Sequence, residues 1–213
     1  MREAPGRFGD GRRQRIGILG GSFNPAHAGH AHVARAALRA LRLDRVWLMV
    51  SPGNPLKPVR GMAPFAVRLA SARAVARDAR IIATDIEQRL GSRFTHRTLG
   101  LLRRRFPRAR FVLILGADNL TQLPRWRRWR AMAHRTPLAV LPRPGYSRVA
   151  LRGQAAAVLA HRRRRAAALQ ASRWTGGAPW CFVPAAERAI SATAIRAESA
   201  QASDARPTGD LLN

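Results

Sequence analysis

The sequence predicts an α/β fold built on a doubly wound, mostly parallel sheet. Two observations carry that expectation. Short apolar runs alternate with stretches of helical periodicity along most of the chain. Two of those runs also end directly in glycine-rich turns, Gly20-Gly21 and Gly116. In a sheet wound by right-handed crossovers, such turns lie at the carboxyl ends of strands, where ligands bind near the switch point.

The elements follow in order. Ile16 to Leu19 is a short apolar run that reads as a buried strand. From Ala28 to Leu43, Val33, Ala36, Ala37, Leu38 and Leu41 recur at helical spacing. Val46 to Val50 reads as a second strand, followed by the Pro/Gly-rich loop Ser51 to Pro58. Phe65 to Arg77 reads as a helix with Phe65, Leu69, Ala72 and Ala76 on one side, and Arg80 to Ala83 as a third strand. Thr95 to Arg105 reads as a helix capped by Thr95. Phe111 to Leu115 is the clearest strand and runs straight into Gly116-Ala117-Asp118. A short helix over Trp126 to Ala133 and a strand over Pro137 to Leu141 come next. Val149 to Leu169 reads as helical, Trp180 to Val183 as a last strand, and Ser191 as the opening of a last helix. Residues 1–14 read as a flexible basic arm, 15–198 as the folded domain, and 199–213 as a loose tail.

Bulk properties narrow the class. A chain of 213 residues, 46% hydrophobic, buries most of its apolar surface without disulfides or metal staples. Its one cysteine, Cys181, forms no internal disulfide, which points to a reducing compartment and hence the cytoplasm. No apolar run reads as a membrane span, and no apolar core follows the basic start as in a secretory signal.

The net charge of +28 has two readings. One is nucleic-acid binding through phosphate contacts. The other is coding bias toward arginine in a GC-rich genome, which the single lysine, Lys57, and the abundant alanine favour. The aromatic interleaving of a single-strand binding groove is sparse.

The chemistry gathers at the first strand-to-helix turn, Gly20-Gly21-Ser22-Phe23-Asn24-Pro25-Ala26-His27-Ala28-Gly29-His30. Paired glycines let backbone approach a ligand closely, and the helix start offers unpaired N–H groups suited to phosphate. The turn has neither a GxxxxGK[ST] nor a GxGxxG pattern. It has instead His27 and His30, three residues apart, so both imidazoles point the same way and can donate to a triphosphate. A metal site built on His27, His30 and His32 is the alternative. His32, however, falls on a different helical face, and no thiol or carboxylate lies near it in sequence. No metal ligand is therefore assigned.

This turn resembles the signature of the nucleotidyltransferase superfamily with an HxGH motif. Later segments resemble, in order, the bacterial nicotinate-nucleotide adenylyltransferases within it. They are Asn54 to Lys57, Thr84 to Glu87 with Arg93 to Leu99, Gly116 to Leu120 followed by Trp126, and Ile190 to Arg196. Together they cover roughly residues 15 to 198. The HxGH turn identifies only the superfamily; the ordered set is more specific.

The resemblance implies a Rossmann-like nucleotidyltransferase fold and adenylyl transfer from ATP to nicotinate mononucleotide in NAD biosynthesis, with Mg²⁺ on the phosphates. It implies His27, His30 and Lys57 as catalytic residues. It places ATP against Gly20, Gly21, Ser22, Phe23, Asn24, Gly29, Gly116, Asp118, Ser191, Thr193 and Arg196. Thr84, Thr95 and Trp126 fall on the pyridine side. Physical sense attends several of these. A mobile ammonium at Lys57 suits phosphate, Asp118 offers acceptors to ribose hydroxyls or caps a helix, and the Trp126 face suits a flat ring. Trp129 reads as core.

Departures from the family pattern are Ala192 in place of a second serine, Arg97 where an acid is usual, and the short C-terminus. Two alternatives stay open. One is a sister enzyme acting on nicotinamide mononucleotide or phosphopantetheine. The other is a basic nucleic-acid-binding protein on an inactive fold of this type.

Overall fold

The computed structural model describes residues 5–53, 61–170 and 176–187. Six strands form one sheet: β1 (Arg15–Gly21), β2 (Arg45–Val50), β3 (Ile81–Thr84), β4 (Arg110–Gly116), β5 (Leu138–Leu141) and β6 (Trp180–Phe182). Their order is β3-β2-β1-β4-β5-β6, and every neighbouring pair is parallel. The sequence expectation of a doubly wound sheet holds. Its central strands are buried on both faces, which explains their near-continuous apolar runs.

Helices cover both faces. On one face lie α1 (Ala28–Ala40) and α2 (Phe65–Val75), whose Leu38, Leu69 and Ala72 pack with Leu48, Val50 and Ile114. On the other lie α3 (Ile86–Arg89), α4 (Thr95–Arg105), α5 (Ala117–Gln122), α6 (Trp129–Arg135), α7 (Ser147–Arg152) and α8 (Gln154–Val158). From them Leu99, Leu102, Leu120, Met132 and Ala155 meet Ile16, Ile18 and Leu113. At the centre of this layer Phe106 packs edge-on to Trp47 at 5.3 Å and to Phe111 at 6.2 Å.

The structure revises several boundaries. Thr95 is the first helical residue of α4, and Phe94 occupies the cap position without a side-chain bond. The helix expected from Trp126 begins at Trp129; Leu123–Arg125 form a 3-10 turn, and Trp126 follows it in extended backbone. Pro124 lies in the first positions of that turn, and Arg128, in the left-handed region at φ 54°, turns the chain into α6. The helix expected over 149–169 is broken. Gly153 is extended between α7 and α8, and 3-10 turns at Ala160–Arg162 and Ala166–Gln170 follow. Glycine's entropic penalty and a run of arginines with no acid to pair along the helix make a continuous helix unfavourable there. The short helix α3 was not expected, and in α5, the helix Asp118 was read as capping, Gly116 holds the cap position with Asp118 in the first turn. The helix opening at Ser191, residues 1–4 of the arm and the tail lie outside the described residues. Within the arm, Pro5 O accepts from Arg89 at 2.7 Å, and Gly9 lies against the Arg105 backbone.

Phe106 is 1% exposed and Phe8 is 81% exposed, so the two phenylalanines separate burial from residue type. Phe106→Ala is expected to lower unfolding free energy by about 3–5 kcal/mol, and Phe8→Ala by less than about 0.5 kcal/mol. Urea unfolding of the two variants checks this. Equal midpoints would contradict the packing described.

Candidate active site

β1 and β4 are neighbours, and the chain leaves their carboxyl ends in opposite directions, toward β2 and toward β5. This is the switch point of the sheet. Gly20-Gly21 and Gly116 both open onto it, as expected from sequence.

After β1 the turn is held by its surroundings. Phe23 has φ 49°, a left-handed conformation that costs a non-glycine residue about 1–3 kcal/mol. Its ring is buried and lies 4.8 Å from the His30 ring. The Asn24 amide donates to Gly61 O at 2.9 Å, and its Oδ1 accepts from Ala63 N at 3.1 Å. Ser71 Oγ on α2 accepts from Ala26 N at 3.1 Å. Arg68, also on α2, donates to Ser22 O at 2.7 Å. The Phe23 and Asn24 side chains both shape the turn. Ser22 Oγ is buried with no hydrogen-bond partner among the described residues.

The two histidines cap α1 reciprocally. His27 sits at the cap position in extended backbone, and its Nδ1 accepts from Gly29 N at 3.2 Å. His30, one turn in, accepts from His27 N through its own Nδ1 at 3.2 Å. This is the geometry of a capping box, with imidazoles in place of the usual hydroxyl and carboxylate. The rings lie 3.9 Å apart. A ring nitrogen that accepts from a backbone N–H carries no proton of its own. Each neutral imidazole is therefore fixed as the tautomer with its proton on Nε2. The cap thus turns two side chains into N–H donors at the positive end of a 13-residue helix with no acid in its first turn. Burial, then the nearby Arg143, lowers the pKa of His27 below its ordinary value, which favours the neutral ring.

Across the switch point, Asp118 lies in the first turn of α5, which Gly116 caps. A side chain at Gly116 would meet the Asp118 carboxylate, so glycine there makes room for it. Arg143, just beyond β5, has its Nε 3.8 Å from Asp118 Oδ2 and also acts electrostatically on His27. Arg143 was not singled out from sequence. Its signal was its place just past a predicted strand, among prolines and a glycine.

The residues expected on the pyridine side lie on β3, at the start of α4 and before α6. Thr84 ends β3, is 1% exposed, and its Oγ1 accepts from Ile86 N at 3.1 Å. Arg127 lies over the Phe94 ring at 5.2 Å, which brings the residues beside Thr95 and Trp126 together. Trp126 is partly buried against the core, whereas Trp129 is buried within it, as expected. Behind this wall Glu87 is buried, and the Thr98 hydroxyl lies 2.8 Å from its Oε1 and 2.9 Å from Ser92 Oγ. Desolvation raises the Glu87 pKa, against the opposing hydrogen bonds of Thr98 and Ser51. His32 is 2.9 Å from Ala186 O, on another side of α1. Lys57, Ser191, Thr193 and Arg196 lie outside the described residues.

The chain belongs to the cytidylyltransferase-like family, whose model matches residues 18–198. A Gluconobacter oxydans protein named probable nicotinate-nucleotide adenylyltransferase is 62% identical over 187 residues, covering 88% of this chain and 95% of its own. A Gluconacetobacter diazotrophicus protein of the same name is 58% identical over 203 residues, 94% of each chain. These relatives place the chain among the nicotinate-nucleotide adenylyltransferases. The fold is similar to that of Plasmodium falciparum nicotinic acid mononucleotide adenylyltransferase complexed with NaAD. That match has a TM-score of 0.64 at 15% identity and covers 86% of this chain and 83% of the other.

The His27 cap generates a pH prediction. Its folded-state pKa is depressed, so the stability it contributes is complete above the unfolded value of about 6.5 and is lost as pH falls through the folded value. His27→Asn keeps a cap acceptor without a titrating ring. The stability gap between wild type and this variant is expected to narrow as pH falls from about 7.5 to about 5. Urea midpoints measured across that range check it, and a constant gap would detach the cap from His27 ionisation.

Proposed function

We infer that the protein transfers the adenylyl group of ATP to nicotinate mononucleotide, forming nicotinate adenine dinucleotide and pyrophosphate in NAD biosynthesis. The observation that carries the site-level reading is the double-histidine cap. It fixes two Nε2–H donors at the start of α1, beside the glycine turn at the switch point.

The 5′-phosphate oxygen of the mononucleotide attacks the α-phosphorus of ATP. The bond from that phosphorus to the bridging α,β oxygen breaks, and its electrons leave with pyrophosphate. The chain supplies no nucleophile. Its work is to align the two phosphates and to offset charge as it moves toward the leaving group. His27 and His30 donate to phosphate oxygens, and the backbone of Gly20, Gly21 and Gly29 allows close approach. Asp118 accepts from ribose hydroxyls, steadied by Arg143 at 3.8 Å. Lys57, Ser191, Thr193 and Arg196 complete the phosphate contacts, and Thr84, Thr95 and Trp126 the pyridine side, on the strength of the family motifs.

The donor set bears on the metal. Both histidines have Nδ1 engaged by backbone, and Asp118 already faces Arg143. The histidine N–H groups suit phosphate oxygens, and a carboxylate already facing an arginine is a poor ligand for a hard cation. Mg²⁺ accordingly arrives with ATP, held by substrate oxygens and water, and offsets phosphate charge. A cytoplasmic setting suits these substrates. No helix among the described residues is long and apolar enough to cross a membrane. The Cys181 thiol is buried, which pushes its pKa up to about 12.

Purified protein with ATP, Mg²⁺ and nicotinate mononucleotide is expected to release pyrophosphate, with little release when the amide or phosphopantetheine replaces the acid. Release with another acceptor only would overturn the substrate assignment. His30→Ala is expected to lower kcat by about 100-fold or more. Its far-UV circular dichroism should remain that of wild type, and near-normal turnover would remove His30 from the mechanism.

A further inference from the structure

Arg68 is the one arginine on the inward side of α2, and it is 3% exposed. A buried charge normally has a partner of opposite sign. Arg68 instead contacts carbonyl oxygens and one ring. Nε donates to Ala63 O at 3.0 Å, Nη1 to Ser22 O at 2.7 Å and Ser51 O at 2.8 Å, and Nη2 to Pro52 O at 3.4 Å. The guanidinium also lies 5.3 Å over the Phe65 ring. Among the described residues, Arg68 forms no ion pair with a carboxylate. Burial lowers its pKa, yet a guanidinium keeps its proton at any ordinary pH.

The four carbonyls have a common location. Ser22 belongs to the glycine turn, Ser51 and Pro52 follow β2, and Ala63 precedes α2. Arg68 therefore ties the turn after β1 to the backbone leaving β2 and to the backbone entering α2. A planar fork spreads its donors over these three segments, whereas an ammonium gathers its three on one nitrogen. Its charge lies one carbonyl away from the turn and faces only dipoles. A polyphosphate seated on that turn supplies the missing negative charge through little intervening water, where attraction is strong.

We propose that Arg68 is a positioning residue for polyphosphate: it sets the shape of the Gly20–Asn24 turn by bonding Ser22 O, and it holds a buried positive charge beneath the bound triphosphate and the departing pyrophosphate. The proposal rests on the adenylyl-transfer reading. It does not place Arg68 in contact with substrate.

The experiment compares wild type, Arg68→Lys and Arg68→Met. It uses calorimetric titration with magnesium pyrophosphate, steady-state kinetics in ATP and in nicotinate mononucleotide, and thermal melts. Arg68→Met loses both fork and charge. It is expected to bind pyrophosphate about tenfold or more weakly and to raise the KM for ATP by a similar factor, with the KM for the mononucleotide within about twofold of wild type. Arg68→Lys restores the charge but not the fork, so it is expected to recover part of the pyrophosphate affinity. A merely structural arginine would lower the melting temperature and leave the KM for ATP of the folded protein unchanged, and that result overturns the proposal. Should Arg68→Met not fold, Arg68→Lys decides: unaltered pyrophosphate affinity and KM for ATP overturn it, and a selective rise in both supports it. Wild type that neither binds pyrophosphate nor turns over would overturn the adenylyl-transfer reading itself, and this inference with it.

Discussion

The reciprocal cap at the start of α1 is the interaction on which the site depends. A helix start leaves N–H groups in need of acceptors, and most proteins supply a hydroxyl or carboxylate oxygen. Here two imidazole nitrogens do it, His27 for Gly29 and His30 for His27. One act of local satisfaction has three consequences. It ends β1's exit turn and begins α1. It fixes both tautomers. It also leaves the opposite edge of each ring carrying its proton at the switch point of the sheet. Local structure and phosphate chemistry thus share one pair of side chains.

That arrangement needs a rigid turn before it, and α2 supplies much of the rigidity. Arg68 holds Ser22, Ser71 holds Ala26, and the Asn24 amide holds Gly61 and Ala63. Phe23, in its left-handed conformation, is fixed because its ring is buried against His30. Strain at one non-glycine residue is thereby sustained by packing on every side, as is common where a site must be shaped before its ligand arrives. On the far side of the switch point Gly116 and Asp118 serve the same end with fewer contacts.

Much of this was legible in the sequence, and the parts that were not share physical causes. β1, β2, β4 and β5 announced themselves because strands buried on both faces must be continuously apolar. HxGH stood out because two histidines flanking a glycine after a Gly-Gly turn have few structural uses. The helix α5 was legible only as a cap reading of Asp118, since Asp118, Asn119 and Thr121 are poor helix formers; Ala117 and Leu120 form it by being buried. The break at Gly153 was masked by the alanine and arginine around it. Arg68 was overlooked because periodicity counts apolar residues. An arginine three residues after Phe65 on the buried stripe of α2 was itself the signal. Thr95 resembled a cap, but the chain enters α4 through Phe94, whose ring packs with Arg127 beside Trp126. No residue pattern near either position specifies that contact.

Backbone contacts fix Nδ1 of both His27 and His30 as an acceptor before any nucleotide binds. Nitrogen-15 NMR of the histidine rings in the ligand-free protein tests it most directly. Both rings are expected to show a bare Nδ1, with the proton on Nε2. A proton on Nδ1 of either ring, as the other tautomer or as imidazolium, would contradict the cap and the donor geometry built on it.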